Sequence, residues 1–385
     1  MKIIKTDGLP IKSWCNEPEE GALEQAMNIA RLPFAHRHIA LMPDTHQGFG
    51  MPIGGVLAAI DTIVPNAVGV DIGCGMYACR TPFDDISRDE IKQIMGLVRK
   101  AVPLGFNHRK TPVEIEDAPK DAPIVQQEHK SARHQAGTLG GGNHFIEIQR
   151  GSDGKIWYMV HTGSRNIGKK VCDHYNALAK ELNAKWKVDI PRQWDLAYLP
   201  MDTKEGQRYV TEMEYCQRFS KINREYISRA INEAFAQVMG DFDPSAIEES
   251  YNVHHNYARF EHHYGRDVWV HRKGATSARA GEAGIIPGSQ GTKSYIVTGL
   301  GNPESFESCS HGAGRVMGRK QAQRTLSLED EIRRLDEAGV VHGMRNKNDL
   351  DEAASAYKDI DIVMEEQKDL VKIKVELTPL GVIKA

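Results

Sequence analysis

Apolar residues fall along the chain in two textures. In the first, short apolar runs rich in β-branched or aromatic residues stand between glycines and prolines. They are HIALMPD (38–44), GGVLAAI (54–60), NHFIEIQ (143–149), IWYMVHT (156–162), DVWVHRK (267–273) and SYIVTGL (294–300). Runs of that length, punctuated by turn formers, predict strands and tight loops over residues 40–165 and 267–315. In the second texture, from Glu205 to about Met239, Phe219, Ile222, Tyr226 and Ala230 recur every three or four residues with charges between them. That spacing predicts a long amphipathic helix, and 170–182 reads as helical too. The closing VKIKVELTPLGVIKA reads as a pair of terminal strands. Because 171–240 separates two strand-rich blocks, the pattern predicts one α+β domain over 1–385 with a helical insertion at 171–240; a separate helical domain is the alternative.

Composition narrows the setting. A chain of 385 residues can bury a sizeable core, and its 49 Lys and Arg against 52 Asp and Glu leave a net charge of −3. Attraction to nucleic acid would therefore come from local clusters of cations and not from the overall field. The six cysteines, at 15, 74, 79, 172, 216 and 309, form no CxxC pair, and the opening MKIIKTDGLPIKSW lacks the apolar run of a signal peptide. These features predict a reducing, cytoplasmic setting. No stretch approaches the ~20 apolar residues of a membrane span, so a soluble protein with no membrane partner is expected.

Candidate chemistry begins at VGVDIGCGM, which sets Asp71 three residues before Cys74. Alone, the pair reads as a turn residue and a small buried hydrophobe. The histidines change that reading. GTLGGGNHFIE carries Asn143, His144 and Glu147; VHTGSRNIG carries His161 and Arg165; VHHNYA carries His254 and His255; SHGAGR carries His311. Imidazole, thiolate and carboxylate together suit Zn, Mn or Fe, and ligands scattered from 71 to 255 exclude the close spacing of a zinc finger, so a bound metal would be catalytic. PGSQGTKSY (287–295) and HGAGR (311–315) add glycine-flanked N–H groups near Lys293 and Arg315, the makings of an anion nest. They are not a Walker A loop, because Thr292 stands where a glycine must precede Lys293.

Together these segments resemble the RtcB family of RNA-splicing ligases. The resemblance runs through LMPDTHQGFG, VGVDIGCGM, GTLGGGNHFIEI, HTGSRNIG, HHNYA, RKGATSARAG, IPGSQGTKSYIV, SHGAGRVMGR, AYKDID and the closing GVIKA, and so covers most of the chain. It implies an RtcB-like α+β fold with mixed or antiparallel sheets around a central metal cleft, flanked by helices. It also implies a ligase that joins RNA 3′-phosphate or 2′,3′-cyclic phosphate ends to 5′-hydroxyl ends, using GTP and two Mn²⁺ through a histidine-linked guanylate. On that resemblance Cys74 bridges the two ions, with Asp71 and His144 on one and His161 and His255 on the other, and His311 is the guanylylated residue. His254 matches no ligand position. Guanosine contacts carry over to Asn143, Glu147, Ser289, Ser294, Gly314, Tyr357 and Lys384. Arg165, Arg272, Lys273, Arg279 and Arg315 are candidates for RNA phosphates.

Two points test that picture on elementary grounds. An ionised Glu147 suits the guanine N1–H and N2–H₂ donors. A regular strand over NHFIE, however, would turn His144 away from Asn143 and Glu147, so their metal and guanine roles require a twisted or edge position. Two other classes fit part of the pattern. A dinuclear-metal phosphoesterase needs the ligands but neither a reactive His311 nor a guanosine pocket, and a non-catalytic RNA-binding scaffold needs no bridging thiolate.

Overall fold

A computed structural model of the chain describes residues 1–240, 243, 247 and 249–384. Two sheets organise it. One has six strands, in the order Lys2–Ile4, Ile11–Ser13, Ala35–His46, Ile53–Ala59, Arg266–Lys273 and Asn256–His263. The other has seven, in the order Ser250–His254, Gly75–Arg80, Ile156–Thr162, Phe145–Gly151, Val371–Ile383, Ser294–Gly299 and Ala283–Ile286. Every neighbouring pair in the second sheet is antiparallel. The first contains one parallel pair, Ile11–Ser13 with Ala35–His46, and the helix Glu20–Ala30 makes the crossover between them. The fold is α+β.

The period of two in the strands decides what each face covers. Ala40 and Met42 face a core shared with Tyr295, Val297 and Val371 of the other sheet, so the two sheets pack on one another. Ile39 and Leu41 point the opposite way, onto Ala26, Ile29 and Ala30 of the crossover helix. In the second sheet Trp157 and Met159 pack with Ile285, Ile296 and Val375, while Tyr158 and Val160 meet Ile227, Ile231 and Phe235 of the long helix Lys204–Met239. A strand buried on both faces explains why IWYMVHT is apolar almost throughout. The long helix starts where Thr203 Oγ1 accepts the Gly206 N–H at 3.1 Å and stops at Gly240. With the helices Pro123–Gln135 and Arg165–Lys185 it encloses a further core, around Val125, Val171, Tyr175 and Met213.

The structure corrects two details of the sequence reading. The closing segment is one strand, Val371–Ile383, and not a pair: TPLG is absorbed as a bulge between Pro379 and Gly381, and the strand runs on as a central member of the sheet. NHFIEIQ begins its ladder only at Phe145. Asn143 and His144 lie in the preceding turn, after Gly142 at φ 68°, so strand alternation does not bind His144 to the face opposite Glu147. No helix among the described residues is long and apolar enough to cross a membrane.

Candidate active site

VGVDIGCGM folds as a turn leading into the strand Gly75–Arg80. The Cys74 N–H donates to the Asp71 carbonyl at 3.1 Å, which brings the two side chains to one side of the loop. Gly73 has φ 75° and lies so close to the long helix that a Cβ there would stand 2.7 Å from Ser220 Oγ. Glycine meets both demands. The His255 N–H donates to the Cys74 carbonyl at 2.8 Å, at the point where the chain leaves the strand Ser250–His254 of one sheet for Asn256–His263 of the other. His161 comes from the strand Ile156–Thr162 and stands opposite Phe145 in the next strand.

The five side chains form two triads that share one sulfur. Asp71, Cys74 and His144 make the first, and Cys74, His161 and His255 the second, with the ligand atoms of each triad within 4.8 Å of one another. Cys74 Sγ lies 3.3 Å from His161 Nε2 and 3.6 Å from His144 Nε2; His161 and His255 face each other through Nε2 at 3.3 Å. Asp71 Oδ2 is 3.2 Å from His144 Nε2.

The surroundings set the protons. His144 Nδ1 donates to the Leu139 carbonyl at 2.9 Å and His161 Nδ1 to the Asn143 carbonyl at 3.0 Å, so each ring turns Nε2 inward, the atom that carries the lone pair in the neutral tautomer. Asp71 Oδ1 accepts from the Ser164 N–H and hydroxyl, each at 3.1 Å, which leaves Oδ2 for the cluster. Burial holds His161 and His255 well below the usual imidazole range, in the neutral form that ligates metal. Burial also pushes the Cys74 thiol well up, and Asp71 adds to the effect. A sulfur in that position becomes a thiolate when a cation is bound. Convergent lone pairs, a carboxylate and a shared sulfur fit a pair of divalent metals.

His311 follows the short strand Ser308–Ser310, and its ring centroid lies 4.8 Å from that of His255. Its ring passes close to Gly274, at φ 60°, where a Cβ would stand 3.0 Å from His311 Cε1. Asp44, fully buried in the strand Ala35–His46, accepts from the His311 N–H at 3.0 Å and from Nδ1 at 2.5 Å through one oxygen. In the neutral tautomer that this bond selects, Nε2 carries the lone pair. Sequence reasoning gave Asp44 no role. The only signal was its place in LMPDTHQGFG, 267 positions from its partner.

One cavity of ≈1020 Å³ joins these parts, lined by Asp71, Cys74, His161, His255 and His311 together with Asn143, Glu147, Ser289, Ser294, Gly314, Tyr357 and Lys384. Burial pushes Glu147 up to about 8, although Gln149 Nε2 donates to it at 2.6 Å. Ser294 Oγ accepts the Gly288 N–H at 3.1 Å and so closes the PGSQGTK loop. Glu352, also absent from the sequence reading, anchors the far wall. It accepts from the Tyr357 hydroxyl and lies 3.1 Å from Arg315, 2.7 Å from Arg319 and 3.8 Å from Lys384. Burial alone would raise its carboxyl, but Lys384, Arg315 and Arg319 outweigh that and hold it low.

The basic candidates divide. Lys273 and Arg315 line the cavity, and Arg165 stands behind His144, with Nη1 at 3.5 Å from its Nδ1. Arg272 does not reach the cavity. It is wholly buried, bidentate to Glu261 at 2.7 and 3.0 Å, and donates to Ser308 Oγ and the Phe306 carbonyl. Arg279 is held outside it too, between Glu261 at 3.3 Å and Glu307 at 3.6 Å. Arg272 has spent its donors on a buried carboxylate, a hydroxyl and a carbonyl and has none to spare for a phosphate, so it does not fit that role. Arg279 differs: its side chain is 43% exposed, so its place outside the cavity, and not a lack of donors, sets it apart. His254 turns away from the cluster, with Nδ1 3.0 Å from Arg224 Nη2.

The family model described as tRNA-splicing ligase RtcB matches residues 25–122 and 115–385. The RNA-splicing ligase RtcB of Escherichia coli is 38% identical over 97% of this chain and 96% of its own length. The tRNA-splicing ligases RtcB of Thermococcus kodakarensis and Pyrobaculum aerophilum are 32% and 31% identical, over 95% and 94% of this chain and 91% and 90% of theirs. With matches of that extent running through every segment that builds the cavity, the chain belongs to the RtcB family.

Proposed function

We propose that the protein is an RNA ligase that joins a 3′-phosphate or 2′,3′-cyclic phosphate end to a 5′-hydroxyl end, in tRNA splicing or RNA repair. It consumes GTP through a guanylate on His311 and depends on two Mn²⁺. The observation that carries this reading is the Asp44–His311 pair opening on the same cavity as the five-residue cluster. The names of the relatives, RNA-splicing and tRNA-splicing ligases, support it.

In this reading His311 Nε2 attacks the GTP α-phosphate. An N–P bond forms, the bond to the β-phosphate oxygen breaks and pyrophosphate leaves. Asp44 keeps the proton on Nδ1 and offsets the charge that the ring gains. GMP then passes to the RNA 3′-phosphate as the N–P bond breaks. The 5′-hydroxyl displaces GMP to form the phosphodiester. A cyclic end takes up water first, to open to a 3′-phosphate. Metal held by Asp71, Cys74, His144, His161 and His255 supplies screening of the phosphate charges and of the attacking oxygen. The thiolate and imidazole donors suit Mn²⁺ better than Mg²⁺. Glu147 accepts from guanine N1–H and N2–H₂, with Asn143, Ser289, Ser294, Gly314, Tyr357 and Lys384 around the nucleotide. Arg165, Lys273 and Arg315 remain candidates for RNA phosphates. We take 1–385 as one ligase domain with 171–240 as its helical insertion, and the free, buried state of all six cysteines supports a reducing cytoplasm.

A phosphoesterase would leave the Asp44–His311 pair without work. The deciding experiment is incubation with GTP labelled at the α-phosphate in Mn²⁺. The expected result is one labelled histidine on the intact protein and none on His311→Ala. No covalent label on the intact protein overturns the reading.

A further inference from the structure

The long helix Lys204–Met239 carries two adjacent polar residues, Asn223 and Arg224, that are completely buried against the back of the metal-ligand cluster. Arg224 hydrogen-bonds none of the five ligands. It bonds instead to their immediate neighbours in the chain: Nη1 donates to the carbonyls of Gly73, at 3.2 Å, and Thr162, at 2.8 Å, and Nη2 lies 3.0 Å from His254 Nδ1, which is also 3.0 Å from the Gly73 carbonyl. Gly73 precedes Cys74, Thr162 follows His161 and His254 precedes His255. Its Nε donates to Asn252 Oδ1 at 2.7 Å. Among the described residues no carboxylate forms an ion pair with Arg224, so a buried cation is retained on carbonyls, an amide and an imidazole. A buried charge without a counter-ion is costly, and it persists only where the structure gains elsewhere.

Asn223 does the same for the other triad. Its Oδ1 accepts from the backbone of Gly137, at 2.7 Å, and Thr138, at 3.1 Å, just before the Leu139 carbonyl that fixes His144. Its Nδ2 donates to the Gly163 carbonyl at 3.1 Å, just before the Ser164 that fixes Asp71.

We propose that Asn223 and Arg224 are positioning residues for the metal centre, one helix step gathering the four separate segments that deliver its ligands. The proposal rests on the reading of the five-residue cluster as a metal site. Its physical content is preorganisation: five electron-rich groups repel one another before a cation arrives, and a clamp on the neighbouring backbone keeps them together without occupying a ligand atom. Groups behind the ligands commonly contribute 10–100-fold in metal affinity.

The test titrates Co²⁺ into the full-length, metal-free protein and follows the near-ultraviolet thiolate-to-metal absorption, with equilibrium dialysis for stoichiometry. The intact protein is expected to take up two Co²⁺ with that band. Arg224→Met and Asn223→Ala are expected to weaken uptake by about 10–100-fold at temperatures where circular dichroism shows them folded, and Arg224→Lys to recover part of the loss. Ile227→Ala, in the same helix but packed in the apolar core, is the control. It is expected to lower Tm and leave Co²⁺ affinity unchanged. Wild-type affinity in both Arg224→Met and Asn223→Ala overturns the proposal, as does a loss in Ile227→Ala that matches theirs. A wild-type chain that shows no thiolate band overturns the metal reading itself.

Discussion

Asp44 Oδ2 lies 2.5 Å from His311 Nδ1 and 3.0 Å from the nitrogen of the same residue, so one buried oxygen fixes both the backbone and the ring. If Nε2 takes up the guanylate as proposed, the imidazole becomes cationic and this carboxylate is the group beside it that can offset the charge. Asp44→Asn keeps an acceptor but removes the charge. Its guanylylation rate is expected to fall by up to about 10⁴, the loss seen when the carboxylate behind a catalytic histidine is replaced by its amide. Uptake of α-labelled GTP under single-turnover conditions measures it. An unchanged rate would mean that Asp44 serves only to hold the loop.

His311 and Cys74 are expected to fail at different steps. In the proposed reaction His311 would carry GMP only as far as the RNA, whereas the cluster around Cys74 would serve every transfer. His311→Ala should therefore lose protein labelling yet still seal an RNA supplied with a 3′-diphosphoguanosine end. Cys74→Ala removes the sulfur common to both triads and should seal nothing. Gel assays with synthetic activated RNA in Mn²⁺ separate the two; sealing by Cys74→Ala, or none by His311→Ala, contradicts this division.

Metal exchange offers an independent check. A site with a thiolate and three imidazoles favours borderline cations, while Mg²⁺ prefers oxygen ligands in octahedral array. Activity removed by chelation is expected to return with Mn²⁺ and not with Mg²⁺ alone. Full ligation in Mg²⁺, with Mn²⁺ below detection, would falsify the assignment.

How much of this was legible in the sequence depends on whether a residue's task is local. The strands showed because burial on one or both faces leaves a pattern within six or seven residues, and the long helix showed because its apolar stripe repeats over 36. The cluster residues stood out because Cys and His beside glycines are chemically unusual wherever they fold. Asp44, Glu352 and Arg224 were silent. Each acts on a partner brought near only by the tertiary fold, and a lone Asp, Glu or Arg in sequence resembles any solvated charge. Arg272 misled for the same reason: its buried partner Glu261 lies across a strand pair, and nothing in RKGATSARAG announces it. The bulge at Pro379–Gly381 was read as a break because Pro and Gly usually end a strand.

Arg272 yields a prediction that separates stability from RNA binding. Glu261 is fully enclosed with Arg272, His263 and Arg279 around it; burial raises its carboxyl, but Arg272 foremost outweighs that and holds it well below the usual carboxylate range. Arg272→Met strands that carboxylate and should cost about 3–5 kcal/mol, read as a fall in Tm. A depressed carboxyl contributes stability that is present above its unfolded value and lost as pH falls through its folded value, so the penalty of Arg272→Met should shrink in acid. The affinity of the folded variant for RNA should not change. A selective loss of RNA binding at constant Tm would restore Arg272 to the phosphate-binding set.

Glu147 carries the opposite sign. Burial raises its carboxyl from 4.5 to about 8, so across that window the folded protein holds a proton that the unfolded chain has released, and stability contributed by this residue falls as pH rises. Glu147→Gln removes the titration. Its amide can also donate to Gln149 Oε1, which is buried without a partner, while still accepting from Gln149 Nε2. The variant should therefore gain Tm relative to the parent as pH goes from 5 to about 8, with the gain levelling off above that value. Guanine binding reads the same group from the other side. If the ionised carboxylate receives the guanine donors, GTP must displace the proton below pH 8, so GTP affinity should rise with pH and binding should release close to one proton. Calorimetry in two buffers of different ionisation enthalpy measures that proton. In Glu147→Gln the release should vanish and the preference for GTP over ATP should collapse, because the amide no longer offers two acceptor oxygens to N1–H and N2–H₂. A variant that gains stability with pH yet keeps its guanine preference would leave Glu147 as a buried acid and move base recognition elsewhere in the cavity.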